Sequence, residues 1–347
     1  GDPGAAAAGP LFCLAARAND PGFADRLMSR RITRPGPGPV PEVPGYQDIR
    51  HLPGGHSHET FLADRDGVTV VLRVYGAGVR TRGPEAPAVQ MGVLLLTHGL
   101  IPVPEVIDFE EGPPAHLATT RLPGVPLHGV LKSAGDQLQH RLGRSMGEIL
   151  GRLSGMALSG PGPFLDHQQT LGPLDPDSFA LTTWLDKHWS GTALESLGNS
   201  GYSTLNSLCA HGDELLAVSK RACLTHGDLS PRNILCDPEQ GIITGIIDWE
   251  FAHAGHPLED AGKLIRRIAD QPFSHSALEA MNPWLPTREQ APVHELMERA
   301  RAADLYWLIE VASRRGQTPA TERAWKLLQK MIRSNQLLPQ PTPHSPQ

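Results

Sequence analysis

The segment THGDLSPRNILCDPEQGIITGIIDWEFA, Thr225 to Ala252, limits most tightly what this chain can become. It sets His226, Asp228, Asn233 and Asp248 among β-branched apolar residues. Asn233 to Cys236 and Ile242 to Ile247 read as strands, and Asp237, Pro238 and Gly241 between them are turn formers. The pattern predicts a β-hairpin. A hairpin brings its outer ends together, so Asn233 and Asp248 are expected side by side, offering two oxygen-bearing side chains to a hard cation. Asp228 lies in the loop just before, at the same end of the hairpin.

The rest of the chain frames that hairpin. Residues 1–45 read as an extension ending in a Pro/Gly-rich linker, RPGPGPVPEVPG, and folded sequence is expected to begin near Tyr46. YQDIRHLPGG and HETFLADRDGVTVVLRVY alternate as strands do, with Asp66-Gly67 as a hairpin turn. Pro84 to Gly99 reads as a helix with proline at its start and glycine just past its end. Strand character returns in VPEVIDFEEGPPAHLATTRLPG. Beyond Leu127, apart from the hairpin, the apolar residues recur at three-to-four spacing and predict helices almost throughout. The expected fold class is α+β: a small antiparallel sheet over residues 46–122, a larger helical lobe over 123–335 and a Pro-rich tail over 336–347.

Composition removes several function classes. The chain has 347 residues, 39% hydrophobic and 20% charged, which suits a soluble globular protein. A net charge of −6, without a sustained Lys/Arg cluster, gives no reason to expect nucleic acid or an anionic membrane as partner. The longest apolar run, around Val93 to Leu96, is far short of a membrane span. Cys13, Cys209, Cys223 and Cys236 show no paired spacing, as reduced thiols would. The opening GDPGAAAAGPLFCLAARA lacks the cationic part of a signal peptide, so a cytoplasmic location is expected.

The ordered motifs carry a resemblance. HGDLSPRN, His226 to Asn233, has the H-x-D-x-x-x-x-N spacing of kinase catalytic loops, and IIDWE, Ile246 to Glu250, looks like the metal-binding motif that follows such a loop. With glycine between His and Asp, and Asp-Trp-Glu in place of Asp-Phe-Gly, the pair is similar to the aminoglycoside phosphotransferase family, small-molecule kinases of the protein-kinase-like fold. HAGHPLEDAGKL resembles that family's G-x-P-x-x-D segment, LPGGHSHETF its glycine turn over the phosphates, and GLIPVPEVI and TTRLPGVPL its markers before and at the hinge. The similarity runs from Tyr46 to Asp270.

The resemblance implies a bilobal kinase-like fold, ATP as phosphate donor with GTP left open, and Mg²⁺. Asp228 would accept the proton of a hydroxyl acceptor, His226 would orient the loop, Asn233 and Asp248 would hold Mg²⁺, and Asp260 would brace the loop from a helix start. Gly54, Gly55 and Arg73 would meet the nucleotide, Arg73 standing where many kinases have lysine. Glu85 is the expected acidic partner of Arg73, being the carboxylate on the following helix. Phosphoryl transfer needs little more than alignment and charge neutralisation, so these residue types suffice.

The acceptor is less legible. From Gln271 onward Lys and Arg outnumber Asp and Glu, and the tail carries no acid. A neutral or weakly charged polar acceptor, such as a sugar, nucleoside or nucleoside-like antibiotic, is therefore favoured over a polycation. Asp304, Tyr306 and Trp307 could form an aromatic-plus-carboxylate acceptor site, against the plainer reading that they pack a helix. Two alternatives stay open: a metabolic small-molecule kinase and a nucleotide-binding pseudokinase. A protein kinase is disfavoured, because no Ala-Pro-Glu follows Asp248.

Overall fold

The computed structural model describes residues 40–52, 60–75, 85–173 and 180–338. The predicted extension up to residue 39, Gly54 and Gly55, and the tail from residue 339 lie outside the described residues. The first lobe is built on an antiparallel sheet of β1 (Gln47–His51), β2 (Thr60–Arg65), β3 (Val68–Tyr75), β4 (Val106–Glu110) and β5 (Ala115–Thr120), in the order β1-β2-β3-β5-β4. Asp66 and Gly67 both take positive φ, 54° and 79°, which is why this dipeptide can turn β2 into β3 in two residues. Strand periodicity then sorts the faces. Val70 and Leu72 go to one side with Val43, Tyr46, Ala63 and Ala118, while Arg73 and Tyr75 go to the other.

That other side is covered by helix α1 (Ala86–Thr97), which follows β3 and buries Val89, Val93 and Leu94. Gly99, at φ 76°, lies just past its end as predicted. Below the sheet come β6 (Val125–Pro126), the single-turn α2 (Leu127–Val130), the long α3 (Asp136–Gly155), β7 (Ala157–Leu158), β8 (Gly162–Pro163), α4 (Leu181–Trp189) and α5 (Gly198–Leu216). β9 (Ala222–Thr225), the hairpin strands β10 (Ile234–Asp237) and β11 (Ile242–Ile246), and β12 (His253–Gly255) carry the central segment. Helices α6 (Glu259–Ile265), α7 (Pro272–Met281), α8 (Val293–Ser313) and α9 (Pro319–Ser334) complete the second lobe.

Two devices hold this lobe together. Gly143 and Gly147, one helical turn apart on α3, let α7 approach so closely that a Cβ would fall 2.4 Å from the Phe273 carbonyl oxygen and 2.2 Å from that of Ala277. Helix α8 runs through the interior, burying Leu305, Leu308 and Ile309 among Trp184, Leu205, Trp325 and Leu328. No helix among the described residues is long and apolar enough to cross a membrane. Cys209, Cys223 and Cys236 are buried and unpaired.

The predicted hairpin forms, with Ile234 opposite Ile246 and Asp237 opposite Ile242. One expectation needs correction. The helical lobe also holds β6, which extends the hairpin sheet, and a separate sheet in the order β7-β9-β12-β8. Strands of two to four residues are too short to display an alternating pattern, so the sequence conceals them.

Candidate active site

The loop between β9 and β10 is shaped by one glycine and one aspartate. Gly227 sits at φ 80°, and a Cβ there would lie 2.1 Å from the Phe251 carbonyl oxygen, so no other residue fits. Asp260, in the first turn of α6, accepts hydrogen bonds from the His226 and Gly227 backbone N–H groups at 2.7 and 3.1 Å. The imidazole of His226 is fully specified by its neighbours. Nδ1 accepts from the Asp228 N–H at 3.2 Å, so Nε2 carries the proton that goes to the Ile247 carbonyl at 2.9 Å. Its ring packs on Trp249, 4.6 Å between centroids.

Asp228 is left with its carboxylate open to the cleft. Asn233 donates from Nδ2 to the Asp228 backbone carbonyl at 2.9 Å and to its Oδ2 at 3.2 Å. Protein on most sides displaces water and pushes the Asp228 pKa above the ordinary aspartate value; Asp248 adds to this, while His226, Lys263 and Arg266 oppose it. A raised pKa improves a carboxylate as a proton acceptor.

The hairpin ends meet as its register requires: the Ile247 N–H donates to the Asn233 carbonyl at 3.0 Å, and Asp248 follows directly. Asp248 has left-handed φ 70° and ψ 58°, a conformation that costs a non-glycine residue roughly 1 kcal/mol and is tolerated best by Asp and Asn. Arg73 reaches down from β3 to this point. Its Nη1 lies 2.6 Å from Asp248 Oδ1, and its Nη2 lies 2.7 Å from Glu250 Oε2. Burial alone would lower the Arg73 pKa, but the two carboxylates outweigh it and raise it.

Among the described residues no group of three His, Cys, Asp or Glu is disposed to hold a metal. Asn233 and Asp248 are the pair that could offer oxygens to one. Because Nδ2 of Asn233 donates to Asp228, its amide oxygen remains as an acceptor, and the backbone bond from Ile247 to Asn233 brings the Asp248 backbone to the same end of the hairpin. Two hard oxygens suit Mg²⁺, which takes its other ligands from water and phosphate.

This arrangement has relatives. The model of the phosphotransferase enzyme family, APH, matches residues 48–296. The chain belongs to the phosphotransferase enzyme family. Solved structures share its fold at low identity. A thermostable mutant of aminoglycoside phosphotransferase APH(4)-Ia, in ternary complex with ADP and hygromycin B, aligns with TM-score 0.58 and 21% identity over 83% of this chain and 94% of that one. The GDP complex of an aminoglycoside 2'-phosphotransferase-IIIa mutant aligns with TM-score 0.62 and 15% identity over 90% and 97%. The gentamicin complex of APH(2")-IIa aligns with TM-score 0.55 and 14% identity over 82% and 92%. The fold is thus the bilobal, protein-kinase-like one, and the protein is a phosphotransferase.

Not every residue singled out in the sequence of this phosphotransferase lies where its role requires. His226, Asp228, Asn233, Asp248, Asp260 and Arg73 converge on one cleft. Glu85 does not pair with Arg73. It stands at the N-cap of α1, and the residue of that helix facing the guanidinium is Gln90, 3.5 Å from Nη1. Glu250 supplies the charge instead. An acid two residues after Asp248 was a visible signal, but nothing local tied it to a strand of the other lobe.

Asp304 and Tyr306 are corrected as well. Asp304 is 0% exposed and holds Arg266 through both oxygens, at 2.5 and 2.7 Å, and Arg301 at 3.0 Å. Tyr306 is buried beside Trp184, whose Nε1 donates to the Tyr306 carbonyl at 2.9 Å. Trp307 lies against Arg266, 3.6 Å from guanidinium carbon to ring centre. Helix α8 is wrapped by other helices, so its polar side chains find partners inside the lobe. Sequence reasoning missed the chain behind the loop: buried Lys263 donates to the Gly227 carbonyl and to Glu259 at 2.9 Å, and Glu259 meets His253 at 3.2 Å.

Proposed function

We propose that this phosphotransferase transfers the γ-phosphate of ATP to a hydroxyl of a small polar molecule, neutral rather than polycationic, and that the acceptor is an antibiotic. The observation that carries the reading is the convergence of the open Asp228 carboxylate, Asn233 and Asp248 at one end of the hairpin, with Arg73 above them. Asp228 takes the proton of the attacking hydroxyl. Asn233 Nδ2 steadies that carboxylate, His226 and Asp260 hold its backbone, and Arg73 offers a fork of donors to the nucleotide phosphates. Mg²⁺, when bound at Asn233 and Asp248, would neutralise phosphate charge.

The excess of Lys and Arg over Asp and Glu from Gln271 onward supports a neutral acceptor. Asp304 is consumed by Arg266 and Arg301 and so offers no free carboxylate to a cationic acceptor. The antibiotics bound by relatives, hygromycin B and gentamicin, support the antibiotic class, and the GDP complex of one relative keeps GTP as a second donor to try.

A panel of sugar and nucleoside antibiotics, aminoglycosides, and free sugars and nucleosides incubated with ATP and Mg²⁺ tests this, with mass spectrometry detecting an added phosphate. Phosphorylation of neutral antibiotics ahead of aminoglycosides is expected. Efficient turnover of polycations alone would reject the charge assignment, and selective turnover of simple sugars or nucleosides would reject the antibiotic role in favour of metabolism.

A further inference from the structure

The Arg73 guanidinium has three neighbours of unequal character. Gln90 faces it from α1 with an uncharged amide, whose Oε1 also accepts the Tyr75 hydroxyl at 2.8 Å. Asp248 and Glu250 bring charge from the turn that follows the hairpin. The Arg73 side chain is 11% exposed, and a guanidinium so far removed from water needs a carboxylate close by. Asp248 cannot be that carboxylate at every stage. It is also a donor of the candidate cation site, and charge given to a divalent cation is lost to the arginine.

Glu250 escapes this conflict. It lies in the 3₁₀ turn Trp249–Phe251, beyond the hairpin end, and its carboxylate takes Nη2 while Asp248 takes Nη1. We infer that Glu250 is a positioning residue for the nucleotide: it anchors Arg73 in the cleft while Asp248 serves the cation, acting from the second lobe where the sequence suggested Glu85 on α1. This role rests on the reading that the nucleotide phosphates enter beside Arg73. In the structure described here, Arg73 bridges both carboxylates; with a cation at Asp248, Glu250 remains as its charged anchor.

The location of the charge makes the role testable. Since Gln90 already faces Nη1, an acid at position 90 would hold Arg73 from the helix side and leave Asp248 free. Calorimetric titration of ADP with Mg²⁺ into the parent, E250Q and the double variant Q90E/E250Q compares the two anchors, after thermal melting establishes folding. E250Q is expected to raise the Kd about tenfold, the scale of one charge-assisted contact, and to raise the KM for ATP while sparing that for the acceptor. Q90E in the same chain should recover most of the affinity.

A residue that merely packed the turn would not be rescued by charge on another element. Parent-like affinity in E250Q overturns the inference, as does a loss that folded Q90E/E250Q fails to recover. Should E250Q not fold, the double variant decides: folded and binding, it supports the role. Folded without binding, or unfolded, it makes Glu250 a stability residue and refutes the role. A parent that binds no ADP refutes the nucleotide reading itself, and this role with it.

Discussion

His226 joins the loop between β9 and β10 to the hairpin exit: its Nε2 donates to the carbonyl of Ile247, 2.9 Å away, while its Nδ1 receives the N–H of Asp228. One imidazole therefore sets the spacing between the residue assigned as base and Asp248, the residue after Ile247. Replacing His226 by Ala should leave a half-buried carbonyl without its donor, at a cost of about 1 kcal/mol. A lowered thermal midpoint with a fall in kcat is expected; unchanged kcat would show that the linkage has no bearing on turnover.

The two aspartates should separate by what they disturb. Asp228→Ala should reduce kcat by roughly 10²–10⁴, as for a lost general base, and leave nucleotide binding nearly intact. Asp248→Ala should instead remove the part of nucleotide affinity that depends on Mg²⁺ and abolish turnover. Titration of nucleotide with and without Mg²⁺ reads the difference. If Asp248→Ala keeps Mg²⁺-dependent affinity, the donor pair is misassigned.

Asp304 offers a contrast between fold and function. Asp304→Ala would strand Arg266 and the buried Arg301, and breaking a buried pair from one side costs about 3–5 kcal/mol. Chemical denaturation should show this loss. A variant as stable as the parent, with only the acceptor KM raised, would return Asp304 to the acceptor site.

Glu259 predicts an acid dependence. Burial would raise its pKa, but Lys263 and His253 outweigh it and hold it at about 2, below the ordinary value of 4.5. With the folded pKa depressed, the stabilisation is complete above pH 4.5 and is lost as pH falls toward 2. The contribution is at most about 3 kcal/mol. Unfolding free energy measured between pH 6 and 3 should fall less steeply in Glu259→Gln than in the parent; identical slopes would dismiss the coupling.

Much of the site is written locally. The turn residues between β10 and β11 close a hairpin whatever surrounds it, and that closure alone sets Asn233 beside Asp248. The Asp66-Gly67 turn and the limits of α1 belong to the same class: backbone geometry within one stretch of chain specifies them. The short strands β7, β9 and β12 do not, since they exist only by pairing with distant segments.

Tertiary structure decided the partners of charge. Arg73 and Glu250 are 177 residues apart, and Arg266 and Asp304 are 38 apart. No periodicity relates them. A sequence records which residues carry charge, and local pattern records which face of an element each occupies. Which opposite charge a buried arginine meets depends on how whole elements dock, because an ion pair needs only proximity, and proximity between lobes or helices is settled by the packing of the apolar residues around them.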